Sequence, residues 1–555
     1  MRNEVSETRG GHNRAFLLAG IMLCLLLQAW LALVLEINWD EFFYLSNLYA
    51  YERGELTKAL QSFQVHLLAC LTAIPGDEIA QVEAGRFVML ACEAATCGFI
   101  HALARTFFKP LPSLIAVLGY VSAGFTILHG ASFRADPLTA ALLMAALALL
   151  ARGRMTVASA LGIALCVAVA LLVTIKAVFF VPAFAALAMW RVHSAQRWQT
   201  AVRWLGATAA AAATLLVSLY ALQLLILPNA SSGGTQSILG NAGRTTITEA
   251  GFLPRARELV QWMILSPLQT ALLLLGAGFA LRAAFWRSEN RPAALVALAG
   301  AMPLLSLLFY RNAFPYFFAF ILPPATLLMA WFVEGIPNLR RYAPLIALAF
   351  VAPAVVTAYI WSRHGQSGQR QVVSAVHRIF ARPVAYIDRN GMIASFPKRG
   401  FFMSTWGMEN YARRAPVFTE VLRSDTVPLL IINTPAFQNA LLNRPVPPTA
   451  ILHPEDRAVL RDNFIPHWGL VWVAGKHVSA SPRPSTITVA IPGLYTVESA
   501  DAEIDGRLVA TSGTVSLGRG KHIVRSPIPA LVTLRWGNHL YRPTDPPILP
   551  IYRGF

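Results

Sequence analysis

Between Ala15 and Trp361 the chain returns again and again to long runs of apolar residues with almost no charge. About 20 such residues cross the roughly 30 Å of hydrocarbon in a bilayer as a helix. Eleven segments meet or approach that requirement: 15–35, 87–104, 110–131, 136–151, 156–175, 177–190, 205–228, 262–281, 292–310, 314–333 and 343–361. The weakest is 87–104, which carries Glu93 and His101. A polypeptide of this kind satisfies its backbone inside lipid only as a bundle of helices. The expected fold class is therefore a polytopic α-helical membrane protein.

The apolar excess stops near residue 361. The whole chain is 56% hydrophobic and 13% charged, against about 25% charged in soluble domains. Residues 362–555 have the balance of an ordinary globular sequence. The expected organisation is a transmembrane domain over 1–361, a mixed α/β region over 362–475 and a β-rich module over 476–555.

Charge placement gives the orientation. The net charge of +18 resides largely in short loops: Arg105 and Lys109; Arg152 and Arg154; Arg191, Arg197 and Arg203; Arg282, Arg287 and Arg291; Arg340 and Arg341. Basic loops mark the cytoplasmic side. This pattern argues against nucleic acid as the partner and places the N-terminus in the cytoplasm. Eleven crossings then carry the C-terminal region to the opposite face, as expected for an inner-membrane protein. Arg2, Arg9 and Arg14 precede an uncharged run long enough to span, with no small-x-small cleavage site after it, so the first helix is expected to be retained.

One stretch, Thr156 to Trp190, is too long for one crossing and short for two. Basic residues on both flanks require a hairpin, with Lys176 near its turn. The residues from Gln64 to Ile74 are apolar but too few to span, and read as a helix lying on the membrane surface. All five cysteines lie in the membrane half, so no disulfide staples the outer region, and none has a metal-site spacing.

Beyond residue 425 two buried apolar runs and then six short alternating runs separated by Pro, Gly and Asp predict strands. They cover 426–433, 470–474, 486–491, 494–498, 502–509, 514–517, 522–526 and 531–536, the last six forming a β-sandwich or related antiparallel module.

Charges at membrane depth are costly and mark functional candidates. Asp40 and Glu41 follow the first helix, and an acid there suits a general base, a metal ligand or a polar cap beside aromatic residues. Asp136, before Pro137, is equally good as a helix cap. Arg134 has no such local role and suits phosphate. Lys176 suits phosphate or simple snorkelling. Arg86 and Arg311 complete a set of two acids and four cations on one expected face, fitting an anionic lipid head group. His66, alone on its segment, is more often incidental than catalytic.

Three elements resemble the GT-C glycosyltransferases, among them the protein O-mannosyltransferases and the lipid A aminoarabinose transferases. Trp39-Asp40-Glu41-Phe42-Phe43-Tyr44 is similar to their first outer loop. Arg134-Ala135-Asp136-Pro137-Leu138 is similar to an Arg-x-Asp-x-Leu element. The run Arg311 to Trp331, with Tyr316, Pro323 and Pro324, resembles a late Arg-x-x-Tyr…Pro-Pro helix. A lysine at the position of Lys176 also fits. The Lys- or His-Pro-Pro-Leu element usual in the first loop is replaced by Gln64-Val65-His66-Leu67, which has no prolines.

The resemblance implies an inverting glycosyltransferase with a polyprenyl-phosphate sugar donor and a glycan, lipid or protein acceptor. It implies Asp40 as base, with Glu41 orienting the acceptor or a divalent metal. Arg134, Lys176 and Arg311 would hold the donor phosphate, and Tyr44, His66, Arg86, Asp136 and Tyr316 would lie around the substrates. Two other readings make different predictions. A flippase for lipid-linked glycans would be expected to show inverted repeats. A non-catalytic envelope scaffold would tolerate neutralisation of Asp40 and Arg134.

Overall fold

The computed structural model describes residues 2–227, 229, 251–286 and 290–553. Arg287 and most of the loop 228–261 lie outside the described residues.

The chain is a multi-pass membrane protein with a C-terminal α/β domain. Each of the eleven expected spans falls on helix. Eight are long and apolar enough to cross a bilayer as single helices: Arg14–Val34, Glu78–Ala104, Ala135–Arg152, Ile175–Ser194, Trp198–Ile226, Pro267–Phe285, Arg291–Leu308 and Ala343–Ser362. A ninth is the bent pair Pro315–Ala325 and Leu327–Glu334, which turn by 45° after Pro323 and Pro324. Proline removes the backbone donor that would continue the helix, which accounts for the bend. Val157–Val173 and Pro110–Val121 are shorter apolar helices at the remaining two positions.

Several span boundaries differ from expectation, two of them most clearly. The second span begins at Glu78, nine residues before 87. The expected span 262–281 is two helices, Ala256–Leu265 and Pro267–Phe285, because Ser266-Pro267 interrupts the hydrogen-bond ladder. Glu93 faces the bundle interior, where the Tyr120 hydroxyl donates to its Oε2 at 2.7 Å, so the weak span keeps its acid away from lipid.

Outside the bundle, Trp39–Glu52 forms a helix capped by Asn38. The segment expected on the membrane surface instead packs inward. Gln64–Leu68 and the 3-10 turn Ala69–Ala73 bury Val65, Leu68 and Leu71 in a core shared with the C-terminal domain. Val65 and Leu68 at i and i+3 find protein there, so lipid is not needed to cover them.

The C-terminal domain contains β1 (Tyr386–Ile387), β2 (Lys398–Arg399), β3 (Leu429–Ile431), β4 (Phe464–Trp468), β5 (Val471–Ala480), β6 (Ser485–Val489), β7 (Gly493–Glu498), β8 (Ala502–Ile504), β9 (Arg507–Val509), β10 (Thr514–Leu517), β11 (Gly520–Arg525) and β12 (Ala530–Trp536). One sheet runs β10-β7-β12-β5-β3-β1-β2, with β4 also paired to β5; the other runs β6-β11-β8-β9. Strand β5 passes unbroken through residues 475 and 476. Its first half pairs with β3 and β4 and its second half with β12, so a single sheet links the two outer regions. Val478, Val497, Val524 and Val532 fill the space between the sheets.

The domain is seated on the loop after the first helix. Gln369 brackets Ile37 through both backbone groups at 2.9 and 2.7 Å, and Glu78 accepts from His377 at 2.9 Å.

Candidate functional site

The site is organised by the start of the Trp39–Glu52 helix. Asn38 Oδ1 accepts the Asp40 N–H at 3.0 Å, and Glu41 Oε2 accepts the Asn38 N–H at 2.9 Å. This reciprocal capping fixes the direction in which both acids leave the helix.

Glu41 points inward and is 1% exposed. Arg86 Nε and Nη2 donate to its two oxygens at 2.8 and 2.6 Å, and the Phe133 N–H donates at 2.8 Å. The other Arg86 donors reach the carbonyls of Ala32, Leu35 and Glu36. All five guanidinium N–H groups and both carboxylate oxygens are thereby used. Burial pushes the Glu41 carboxyl up, but the Arg86 charge and these hydrogen bonds hold it below the usual carboxylate range. The pair ties three chain segments together and leaves nothing for a substrate to bond.

Phe133 lies against Gly85, where an added Cβ would meet its ring at 2.5 Å. Gly85→Ala is therefore expected to displace Phe133 and the neighbouring Arg134. The cost should be about 1–3 kcal/mol of stability, read as a lower thermal midpoint in detergent.

Asp40 leaves the helix on another side and pairs with Arg134. Arg134 Nε lies 3.4 Å from Asp136 Oδ2, and Asp136 Oδ1 pairs with Lys176. The four side chains form one line of alternating charge, Asp40–Arg134–Asp136–Lys176, drawn from three separate connections of the bundle. Lys176 reaches it because the helix Val157–Val173 ends at Thr174 and a 3-10 segment, Ile175–Phe180, follows. Tyr316 forms the wall: the Arg134 guanidinium lies 3.4 Å from its ring centre and Lys176 Nζ 5.3 Å. Tyr44, one turn after Asp40, is 6.0 Å from Arg134.

Thus Asp40, Arg134, Asp136, Lys176, Tyr44 and Tyr316 come together. Glu41 and Arg86 adjoin them as a closed pair. Arg311 pairs with Glu409 of the C-terminal domain and lies 5.5 Å from the Trp406 ring. His66 bonds Tyr51 at 3.2 Å and stands apart from the charged line. The sequence reading missed Arg389, whose guanidinium lies 3.9 Å from the centre of the Trp39 ring, next to Asp40.

Among the described residues no group of three or more His, Cys, Asp or Glu is placed to hold a metal ion. The two acids of the line are each paired with a cation.

No family profile matches the chain, and no curated protein matches its sequence. Solved structures do. ArnT from Cupriavidus metallidurans, bound to undecaprenyl phosphate, is similar over 78% of this chain and 95% of its own, with 12% identity and a TM-score of 0.54. The Archaeoglobus fulgidus oligosaccharyltransferase with zinc and sulfate is similar over 94% and 98%, with 12% identity and a TM-score of 0.54. The same archaeal protein with an inhibitory peptide and a dolichol phosphate covers 96% and 98%, with 11% identity and a TM-score of 0.52. At these identities the likeness is one of fold alone: the chain shares its architecture with ArnT and with the archaeal oligosaccharyltransferase.

Proposed function

We propose that the protein is an inverting glycosyltransferase that moves a sugar from a polyprenyl phosphate to an acceptor hydroxyl. The observation that carries this reading is the line Asp40–Arg134–Asp136–Lys176, buried against Tyr316 at one end of a GT-C bundle. The lipid phosphates of the neighbours with this fold support a lipid-linked donor.

Asp40 is the general base. As donor and acceptor enter, Arg134 turns from Asp40 toward the donor phosphate, and the freed carboxylate takes the proton of the acceptor hydroxyl. The acceptor oxygen attacks the anomeric carbon from the face opposite the leaving group. The new C–O bond forms as the bond to the phosphate oxygen breaks, and the polyprenyl phosphate departs with the bonding pair. Arg134 and Lys176 offset the charge gathering on that phosphate, in a site already arranged to receive it. Asp136 holds both cations in place. Glu41 and Arg86 are positioning residues that fix the two loops carrying Asp40 and Arg134. Tyr44 and Tyr316 line the space, and Arg311 with Glu409 ties the bundle to the C-terminal domain.

In this reading the basic loops lie in the cytoplasm of a bacterial inner membrane. The site and C-terminal domain face outward, where a lipid carries activated sugar. Glycan, lipid and protein acceptors all present suitable hydroxyls.

Lys176→Gln tests the donor side. Undecaprenyl phosphate should bind the variant at least about tenfold more weakly than the wild type, since a charge-assisted contact to phosphate is removed. Unchanged binding would detach Lys176 from the donor.

A further inference from the structure

The cations around Asp40 are almost all spoken for. Arg134 and Lys176 are balanced by Asp40 and Asp136, Arg86 by Glu41 and Arg311 by Glu409. Arg389 is the exception: among the described residues no carboxylate pairs with it, and its Nε is buried without a hydrogen-bond partner.

Its position is built. Arg389 follows β1 in a tight loop organised by Asp388, which is 0% exposed. Asp388 accepts the N–H groups of Asn390, Gly391 and Met392 at 3.1, 2.7 and 2.8 Å, and the Asn433 amide at 3.1 Å. Gly391, at φ +83°, passes so close to the Trp39–Glu52 helix that an added Cβ would lie 2.6 Å from Ser46 Cβ. Asn390 donates to the Trp39 carbonyl at 3.2 Å and to the Tyr552 hydroxyl at 2.9 Å. Tyr552 meets the Trp39 ring edge-on at 6.0 Å. Trp39 is thus held against Tyr552 and Arg389, one residue before the proposed base. Burial pushes the Arg389 guanidinium down from its ordinary value, while Tyr552, Asp40 and Asp388 act to raise it.

The part of the chain that carries each cation points to its ligand. Lys176 and Tyr316 belong to membrane-spanning segments, where a lipid phosphate arrives. Arg389 belongs to the C-terminal domain, outside those segments, and lies over Trp39, the residue before Asp40, a placement that suits the acceptor.

We infer that Arg389, on Trp39, is an anion-binding residue for the acceptor, and that the acceptor carries a phosphate or carboxylate near its attacking hydroxyl. This rests on the transferase reading above. A planar guanidinium with free N–H groups matches such an oxyanion through two parallel hydrogen bonds. The contact would bring the hydroxyl to Asp40.

Two probes separate the two phosphate sources, each applied to the full chain in lipid nanodiscs. Glycerol 1-phosphate, a soluble phosphate ester with free hydroxyls, is followed by saturation-transfer NMR; undecaprenyl phosphate is followed by native mass spectrometry. The wild type should bind both. Arg389→Gln should lose at least about tenfold in glycerol 1-phosphate affinity and stay within about twofold for undecaprenyl phosphate. Arg389→Lys, which keeps charge and stacking but not the fork, should fall between for glycerol 1-phosphate, and thermal melts confirm that both variants fold. The proposal is overturned if the wild type does not bind glycerol 1-phosphate, if Arg389→Gln binds it normally, or if that variant loses undecaprenyl phosphate instead. Should the wild type ignore undecaprenyl phosphate yet bind glycerol 1-phosphate through Arg389, the anion site stands and the lipid-donor reading fails.

Discussion

Asp40→Asn is expected to reduce sugar transfer by about 10²- to 10⁴-fold, the usual contribution of a positioned general base. The fold should persist, because Asp40 lies at the rim with 16% of its side chain exposed and asparagine still accepts from Arg134. Binding of undecaprenyl phosphate should hold or tighten, since Arg134 loses its charged partner and becomes easier to recruit. Initial rates with a radiolabelled polyprenyl-phosphate sugar, beside a binding curve for the lipid, separate these effects. Transfer at a rate near the wild type would remove Asp40 as the base. It would also favour the scaffold reading, in which neutralising this acid is silent.

Glu41→Gln should instead act on the whole molecule. It leaves the Arg86 guanidinium buried without its counter-charge, and breaking one member of such a pair costs about 3–5 kcal/mol. A large drop in thermal midpoint and poor recovery of folded protein are expected. Because the two residues share one network, adding Arg86→Met to Glu41→Gln should cost much less than the sum of the separate changes. A Glu41→Gln protein of normal stability that had lost only activity would return Glu41 to the chemistry. The contrast between adjacent acids follows from geometry: one points into the protein and is closed by four hydrogen bonds, the other faces the line of charge.

That contrast marks where sequence reading stops. Charge in short loops and apolar length were enough to place helix at each expected span, eight of them long and apolar enough to cross as single helices. Lys176 could be placed at a break because it alone interrupts the apolar stretch 156–190. Arg134 stood out because nothing local required it. The partner of Arg311 could not be read, since Glu409 lies 98 residues away on a helix of the other domain. Arg389 resembles any other arginine of a globular sequence until Trp39 is seen beneath it. Glu41 and Asp40 are indistinguishable by composition, and only the packing of Phe133 and Arg86 tells them apart.

The strands show a similar limit. Residues 502–509 read as one strand but fold as the hairpin of β8 and β9. Asp505-Gly506 supplies two positive φ angles, 49° and 83°, at the turn. The dipeptide is a strong hairpin signal that the alternating pattern concealed. Strand β5 extends past Ala474, and its end, His477–Ala480, alternates exposed and buried residues against β12, a half-solvated pattern unlike the fully apolar run before it.

The most direct test of the central claim is a cryo-electron microscopy structure of the protein in nanodiscs loaded with undecaprenyl phosphate. The account predicts the lipid phosphate within hydrogen-bond reach of both Lys176 and Arg134, about 3 Å away, with Asp40 released and facing open space toward Arg389. A phosphate bound elsewhere on the bundle, with Asp40–Arg134 and Asp136–Lys176 still closed, would contradict it.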